Sequence, residues 1–207
     1  MKLSIEVKRK AHCHIQIPTN EIQSILYVIH GYGQLAEEFL KEFIDLKDSS
    51  ILVVAPEAIS KFYNKERKTV ASWMTAHERL DEINNYCNYL DLLEQSIHSK
   101  FGALPQSVLG FSQGVSTALR WVYSSKNIFN SLFLVAGSIP PELNPTIKLK
   151  NTRVNFYHGI EDRLMTSTSA LTQVELLTKL GFNVGNHDFD GSHEIPSIAI
   201  EDIKLIS

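Results

Sequence analysis

Cysteine is scarce: Cys13 and Cys87 are the two in 207 residues, far apart and outside any C-x-x-C pattern. They suit small apolar residues in a reducing compartment better than a disulfide. Long apolar runs are missing as well. No segment approaches the 18 or so apolar residues needed to cross a bilayer, and the opening "MKLSIEVKRKAHCHIQI" carries charges throughout, unlike a signal peptide. A cytoplasmic protein is therefore expected. Nor is there an excess of charge of one sign. Twenty basic against 23 acidic residues leave a net charge of −3, which gives no general electrostatic pull toward nucleic acid or an anionic membrane. A small-molecule partner is expected. Repeats, low-complexity tracts and Pro/Gly/Ser linkers are absent too, so residues 1–207, 43% hydrophobic, predict a single domain with its own core.

What the chain does contain is a regular alternation of element types. Residues 3–7 and 12–17 alternate with period two and predict strands, an antiparallel start to a sheet. "SILYVIH" at 24–30 and "ILVVA" at 51–55 are nearly unbroken aliphatic runs, the pattern of parallel strands covered on both faces. "QSVLGF", "SLFLVAG" and "RVNFYHG" repeat it, and a further strand is expected in "FNVGNHDF". Helical periods lie between them, first at Leu35, Phe39 and Phe43, then from Leu80 through Cys87 to Ile97. Two more follow, around Ala118, Trp121 and Val122, and at Leu171, Val174, Leu177 and Leu180. Strands alternating with helices predict an α/β fold, a mostly parallel sheet with helices on both faces. Sites on such sheets form beyond the carboxyl ends of the strands.

Three predicted strands end in polar or glycine-rich exits: "HGYG", "GFSQG" and "HGIED". In "GFSQG" a serine stands between two glycines at a strand-to-helix junction. A tight turn there strains Ser112 and crowds the residues two positions to either side. Gly110 and Gly114 relieve the crowding and leave the hydroxyl projecting above the sheet. A serine needs a base to take its proton, and the base needs a carboxylate to fix its tautomer. On this type of sheet the chain order is Ser, acid, His. Asp162 after the strand in "RVNFYHG" and His193 in "GSHEIP" meet that order. Charge developing on a substrate carbonyl oxygen needs preorganised donors, for which the Gln113 and Tyr32 N–H groups are expected.

Other residues compete for these roles. His187 falls inside a predicted strand; His30 and His158 precede Gly at strand ends and are expected to shape their loops; His12 and His14 share a strand face without a third metal ligand placed by sequence. Glu161, Asp188 and Asp190 are alternatives to Asp162, which its place just after a strand favours. Only a neutral imidazole is a base, so the rate is expected to rise as His193 loses its proton.

The successive segments "VIHGYG", "VVAPEA", "ASWM", "GFSQG", "VAGSIP", "HGIED" and "GSHEIP" resemble, in order, those of the phospholipase/carboxylesterase family of α/β-hydrolases, which includes acyl-protein thioesterases. The resemblance runs from about residue 25 to 200. It implies the α/β-hydrolase fold, cleavage of ester or thioester substrates, the triad Ser112, Asp162 and His193, an oxyanion hole at Tyr32 and Gln113, and no metal or cofactor. Two departures stand out: Val115 replaces a glycine frequent after this motif, and "EAISKFYNKERKTVASWMT" lacks the longer glycine-bearing loop of better-known members.

That segment is expected to pass over the site, with Phe62, Tyr63, Trp73 and Met74 as an apolar wall. Ile139, Pro140, Pro141 and Leu143 form a second candidate wall. The basic run Lys61, Lys65, Arg67 and Lys68 is expected to be solvated. A chain this short leaves no room for a cap domain, and a homodimer covering the site mouth is compatible with that. The sequence leaves open a non-catalytic acyl- or lipid-binding module, and a serine acyltransferase or peptidase using the same nucleophile.

Overall fold

A computed structural model describes residues 3–146 and 149–206. Seven strands form one sheet in the order β1-β3-β2-β6-β7-β8-β9. They are β1 (Cys13–Gln16), β2 (Ser24–Ile29), β3 (Ile51–Pro56), β6 (Gln106–Phe111), β7 (Ser131–Val135), β8 (Arg153–Gly159) and β9 (Val184–Phe189). β1 pairs antiparallel with β3, and every other pairing is parallel. The helices are α1 (Ala36–Leu40), α2 (Arg79–Phe101), α3 (Gln113–Ser124), α4 (Ser167–Lys179) and α5 (Ser197–Lys204), and a short 3-10 helix (Lys41–Leu46) follows α1.

Every residue of β2, β3, β6 and β7 is buried, in keeping with their nearly unbroken apolar runs. Their side chains divide by parity between two cores. Ile25, Tyr27 and Ile29 of β2 pack with residues of α2, α3 and α4, whereas Leu26 and Val28 pack with residues of α1, the 3-10 helix and α5. The helices thus cover both faces. β2 is flanked by β3 on one side and β6 on the other, so the chain reverses its direction of travel across the sheet there. The exits of β2 and β6 therefore open into the crevice where ligands bind in folds of this type.

Three expectations are corrected. Residues 3–7 form no strand, and Leu3, Ile5 and Val7 are 73%, 75% and 81% exposed. Their alternation has no neighbouring surface against which to bury an apolar face. Segment 57–75 is not a plain loop but carries an antiparallel hairpin, β4 (Ser60–Tyr63) with β5 (Thr69–Ser72). The hairpin is tied to the β2 exit through Gly33 N–H to the Ala71 carbonyl and Ala71 N–H to the Gln34 carbonyl. Leu80 and Leu171, expected to face the core, are 70% and 57% exposed. On α4 the expected Leu177 is buried, joined by Ala170 and Gln173, while Val174 packs partly buried against the core. No separate cap domain covers the sheet among the described residues.

Candidate active site

Ser112 links β6 to α3 with φ 53° and ψ −117°, a left-handed backbone that a side-chain-bearing residue adopts only at a cost. Its N–H donates to the Val135 carbonyl at 2.9 Å, which ties the turn to the end of β7. The flanking glycines are dictated by close packing. A β-carbon on Gly110 would lie 2.6 Å from the Gly114 carbonyl oxygen, and one on Gly114 would lie 2.0 Å from that of Ile29 in β2. Gly114→Ala is accordingly expected to cost about 3 kcal/mol or more of stability, because the obstruction is backbone and cannot rotate away. A urea unfolding midpoint equal to wild type would contradict this close approach. Val115 is fully buried in the core beneath the turn, so the departure from glycine there is absorbed as helix packing.

Asp162 and His193 come together. Asp162 Oδ2 lies 2.7 Å from His193 Nδ1, and Oδ1 accepts the N–H groups of Leu164 at 2.7 Å and Met165 at 3.0 Å. Burial raises the Asp162 carboxyl, but the His193 hydrogen bond and the two N–H groups outweigh it and hold the group below its ordinary value. A carboxylate held low in the folded state stabilises the fold above the unfolded value and loses that contribution as pH falls through the folded one. The gap in urea midpoint between wild type and Asp162→Asn should therefore be constant near neutrality and shrink below about pH 4. A gap that widened on acidification would contradict the assignment.

The His193 ring packs on Phe111 with centroids 4.9 Å apart, which sets it beside the residue preceding Ser112. The Ser112 hydroxyl has no hydrogen-bond partner among the described residues, and such contacts commonly tighten only when substrate arrives. A cavity of about 660 Å³ opens on the His193 side, lined by Glu161, Arg163, Leu164, Ser192 and His193.

Two competing histidines near the strand ends have structural partners. His187 stacks on Tyr157 at 4.8 Å and faces Asn155 Oδ1. His158 is buried, with Nε2 donating to the Met165 carbonyl at 3.0 Å and Nδ1 facing Asp188. It thereby braces the turn that presents Asp162. Among the described residues no three His, Cys, Asp or Glu side chains gather as a metal site. Both cysteines are free, and burial pushes the Cys87 thiol up to about 11, leaving it protonated and unreactive at neutral pH.

The two residues whose amides are expected to face an oxyanion adjoin the serine turn, Gln113 as its next residue and Tyr32 as the neighbour of Gly31. A β-carbon on Gly31 would lie 3.2 Å from that of Ser112, so the β2 exit comes close to Ser112. Gln113 is the first residue of α3, where an N–H has no carbonyl one turn back. Sequence reasoning missed the Gln113 side chain. Its Oε1 accepts Trp73 N–H at 3.1 Å and its Nε2 donates to the Met74 carbonyl at 2.9 Å, clamping segment 73–74 to the serine turn. A polar side chain directly after the motif serine is the signal that was available.

The expected substrate walls are partly corrected. Trp73 is fully buried and its indole N–H is donated to the His30 carbonyl, so it packs in the core and presents no surface to a ligand. Ile139 and Pro140 are also buried, with Ile139 N–H bound by Gln173. Phe62 and Met74 keep accessible surface. Phe62 lies against the Tyr32 ring at 5.2 Å, and Met74 meets Arg120, which shares Glu142 with Arg79 and so ties the two walls together.

No helix among the described residues is long and apolar enough to cross a membrane. No curated protein matches the chain. Among solved structures, esterase PE8 has a TM-score of 0.74 at 20% identity, over 96% of this chain and 98% of its own. Acyl-protein thioesterase 2 of Zea mays gives 0.74 at 15% identity, over 95% and 97%. The carboxylesterase of Bacillus cereus gives 0.71 at 18% identity, over 95% and 92%. At such identities the likeness carries the α/β-hydrolase fold. A family model described as phospholipase/carboxylesterase matches residues 10–205, nearly the full length, and on that match the chain belongs to the phospholipase/carboxylesterase family.

Proposed function

We propose that the chain is a serine hydrolase that cleaves carboxylic esters or thioesters through an acyl-enzyme. The reading rests chiefly on a serine held at φ 53° on a strand-to-helix turn beside a hydrogen-bonded Asp162–His193 pair. In this reading Ser112 Oγ attacks the acyl carbon while His193 Nε2 takes its proton. Asp162 keeps the other imidazole proton on Nδ1 and stabilises the imidazolium that forms. The Tyr32 and Gln113 N–H groups receive the charge on the carbonyl oxygen. The alcohol or thiol leaves with a proton from His193, and water, deprotonated by the same imidazole, then releases the acid and restores Ser112.

The leaving group departs toward His193, where the cavity lined by Arg163 and Leu164 receives it. Phe62 and Met74, which keep accessible surface, line the acyl side. The two unbridged cysteines agree with a cytoplasmic setting. A hydrolysis screen over acyl length and over oxygen against sulfur leaving groups tests the reading. Ser112-dependent release of free acid supports it. Transfer to an added alcohol in place of water, cleavage of amides alone, or ligand binding without turnover would replace it.

A further inference from the structure

The β2 exit can be accounted for one polar group at a time. In the peptide joining His30 to Gly31, the carbonyl accepts the Trp73 indole N–H at 2.9 Å and the N–H is held by Gln34 Oε1 at 2.7 Å. In the next peptide, Gly31 to Tyr32, the carbonyl faces His30 Nδ1 at 2.8 Å. The Gly33 N–H that follows is bound to the Ala71 carbonyl. Of the polar groups on the two peptide units around Gly31, the Tyr32 N–H alone lacks an internal acceptor among the described residues. Tyr32 is 61% exposed, so its unmatched N–H is not sealed in the interior and, one residue from the close approach of Gly31 to Ser112, stays available to a ligand oxygen.

The His30 tautomer follows from its second partner. Ala58 N–H approaches Nε2 at 3.1 Å and can only donate, so Nε2 accepts and the ring proton sits on Nδ1, aimed at the Gly31 carbonyl. Burial favours the neutral ring over the imidazolium, which keeps that tautomer in place. The ring is fully buried, 5.2 Å from Trp73 and 6.5 Å from Phe39, and cannot reach a substrate. In a trans peptide the C=O and N–H point in opposite directions.

We propose that His30 is a positioning residue: its Nδ1–H holds the Gly31 carbonyl inward, so that the N–H of the same peptide, on Tyr32, faces the oxyanion. The hydrogen bond also polarises that peptide and sharpens its N–H as a donor. This inference rests on the acyl-enzyme reading above and adds to it the group that sets the first-loop amide.

Asparagine and glutamine separate the two ends of the ring. Asn places an amide donor where Nδ1 stood, and Gln places an acceptor where Nε2 stood with no donor toward Gly31. On a nitrophenyl ester, kcat of His30→Gln is expected to fall about 10²-fold with KM within about threefold of wild type. His30→Asn should recover to within about tenfold of wild type. Affinity for a trifluoromethyl ketone, whose adduct with serine carries the oxyanion, should weaken in parallel with kcat. His30→Phe, which keeps the aromatic packing, should resemble Gln; if it does not fold, the Asn and Gln pair still decides. Equal kcat in Asn and Gln, or ketone affinity unchanged in Gln, would overturn the proposal. Ser112-independent turnover in wild type would remove the acyl-enzyme reading and this inference with it, a result distinct from a Ser112-dependent enzyme indifferent to His30.

Discussion

Ser112→Ala is expected to lower kcat on a short-chain nitrophenyl ester by about 10³-fold or more, with KM little changed. In the proposed mechanism the hydroxyl is the atom that bonds to the acyl carbon, and nothing else at the turn replaces it. The residual rate reflects binding and the two amides, which the substitution leaves in place. Stability should be close to wild type. The Ser112 hydroxyl has no partner to lose among the described residues, and alanine is no more strained than serine at φ 53°. Matched unfolding midpoints with the activity gone would therefore separate chemistry from folding. Retained turnover in a clean preparation would reject the nucleophile.

Asp162→Asn is expected to cost about 10³- to 10⁴-fold in kcat. The two oxygens of Asp162 have different tasks: Oδ1 anchors the turn through Leu164 and Met165, and Oδ2 accepts from His193. An asparagine oxygen still serves the two backbone N–H groups. Its amide nitrogen then faces His193 Nδ1 as a donor, which drives the imidazole proton to Nε2 and leaves no lone pair for the serine proton. The loss is thus a wrong tautomer in an intact site. Activity within about tenfold of wild type would move the acid role to another carboxylate, Glu161 being the nearest in sequence.

Much of this arrangement is legible in the sequence because strong local signals and the global fold agree. Nearly continuous apolar runs mark β2, β3, β6, β7 and β8, and Gly110 and Gly114 mark the turn, since only a residue without a β-carbon fits against the backbone there. Segments carrying weak or misleading local signals were not legible. Residues 3–7 alternate like a strand, but strand pairing depends on a neighbour that the pattern cannot reveal. The β4–β5 hairpin turns through "NKERK", which contains neither glycine nor proline to announce it, and Arg67 supplies the positive φ of 61°. Trp73 reads equally well as ligand wall or core. Its burial follows from a bond between its indole N–H and the His30 carbonyl, 43 residues away. The network through Gln34, His30, Trp73 and Gln113 is likewise built from contacts between distant segments, which periodicity does not encode.

The most direct test of the central claim, that the Ser112 hydroxyl is activated by its surroundings, is reaction of the folded protein with a fluorophosphonate, followed by intact mass and peptide mapping. The account predicts a single adduct on Ser112, loss of esterase activity in step with its formation, and no adduct in urea or in Ser112→Ala. An unmodified Ser112 in folded protein, or a stoichiometric adduct on another residue such as Ser116, would contradict it.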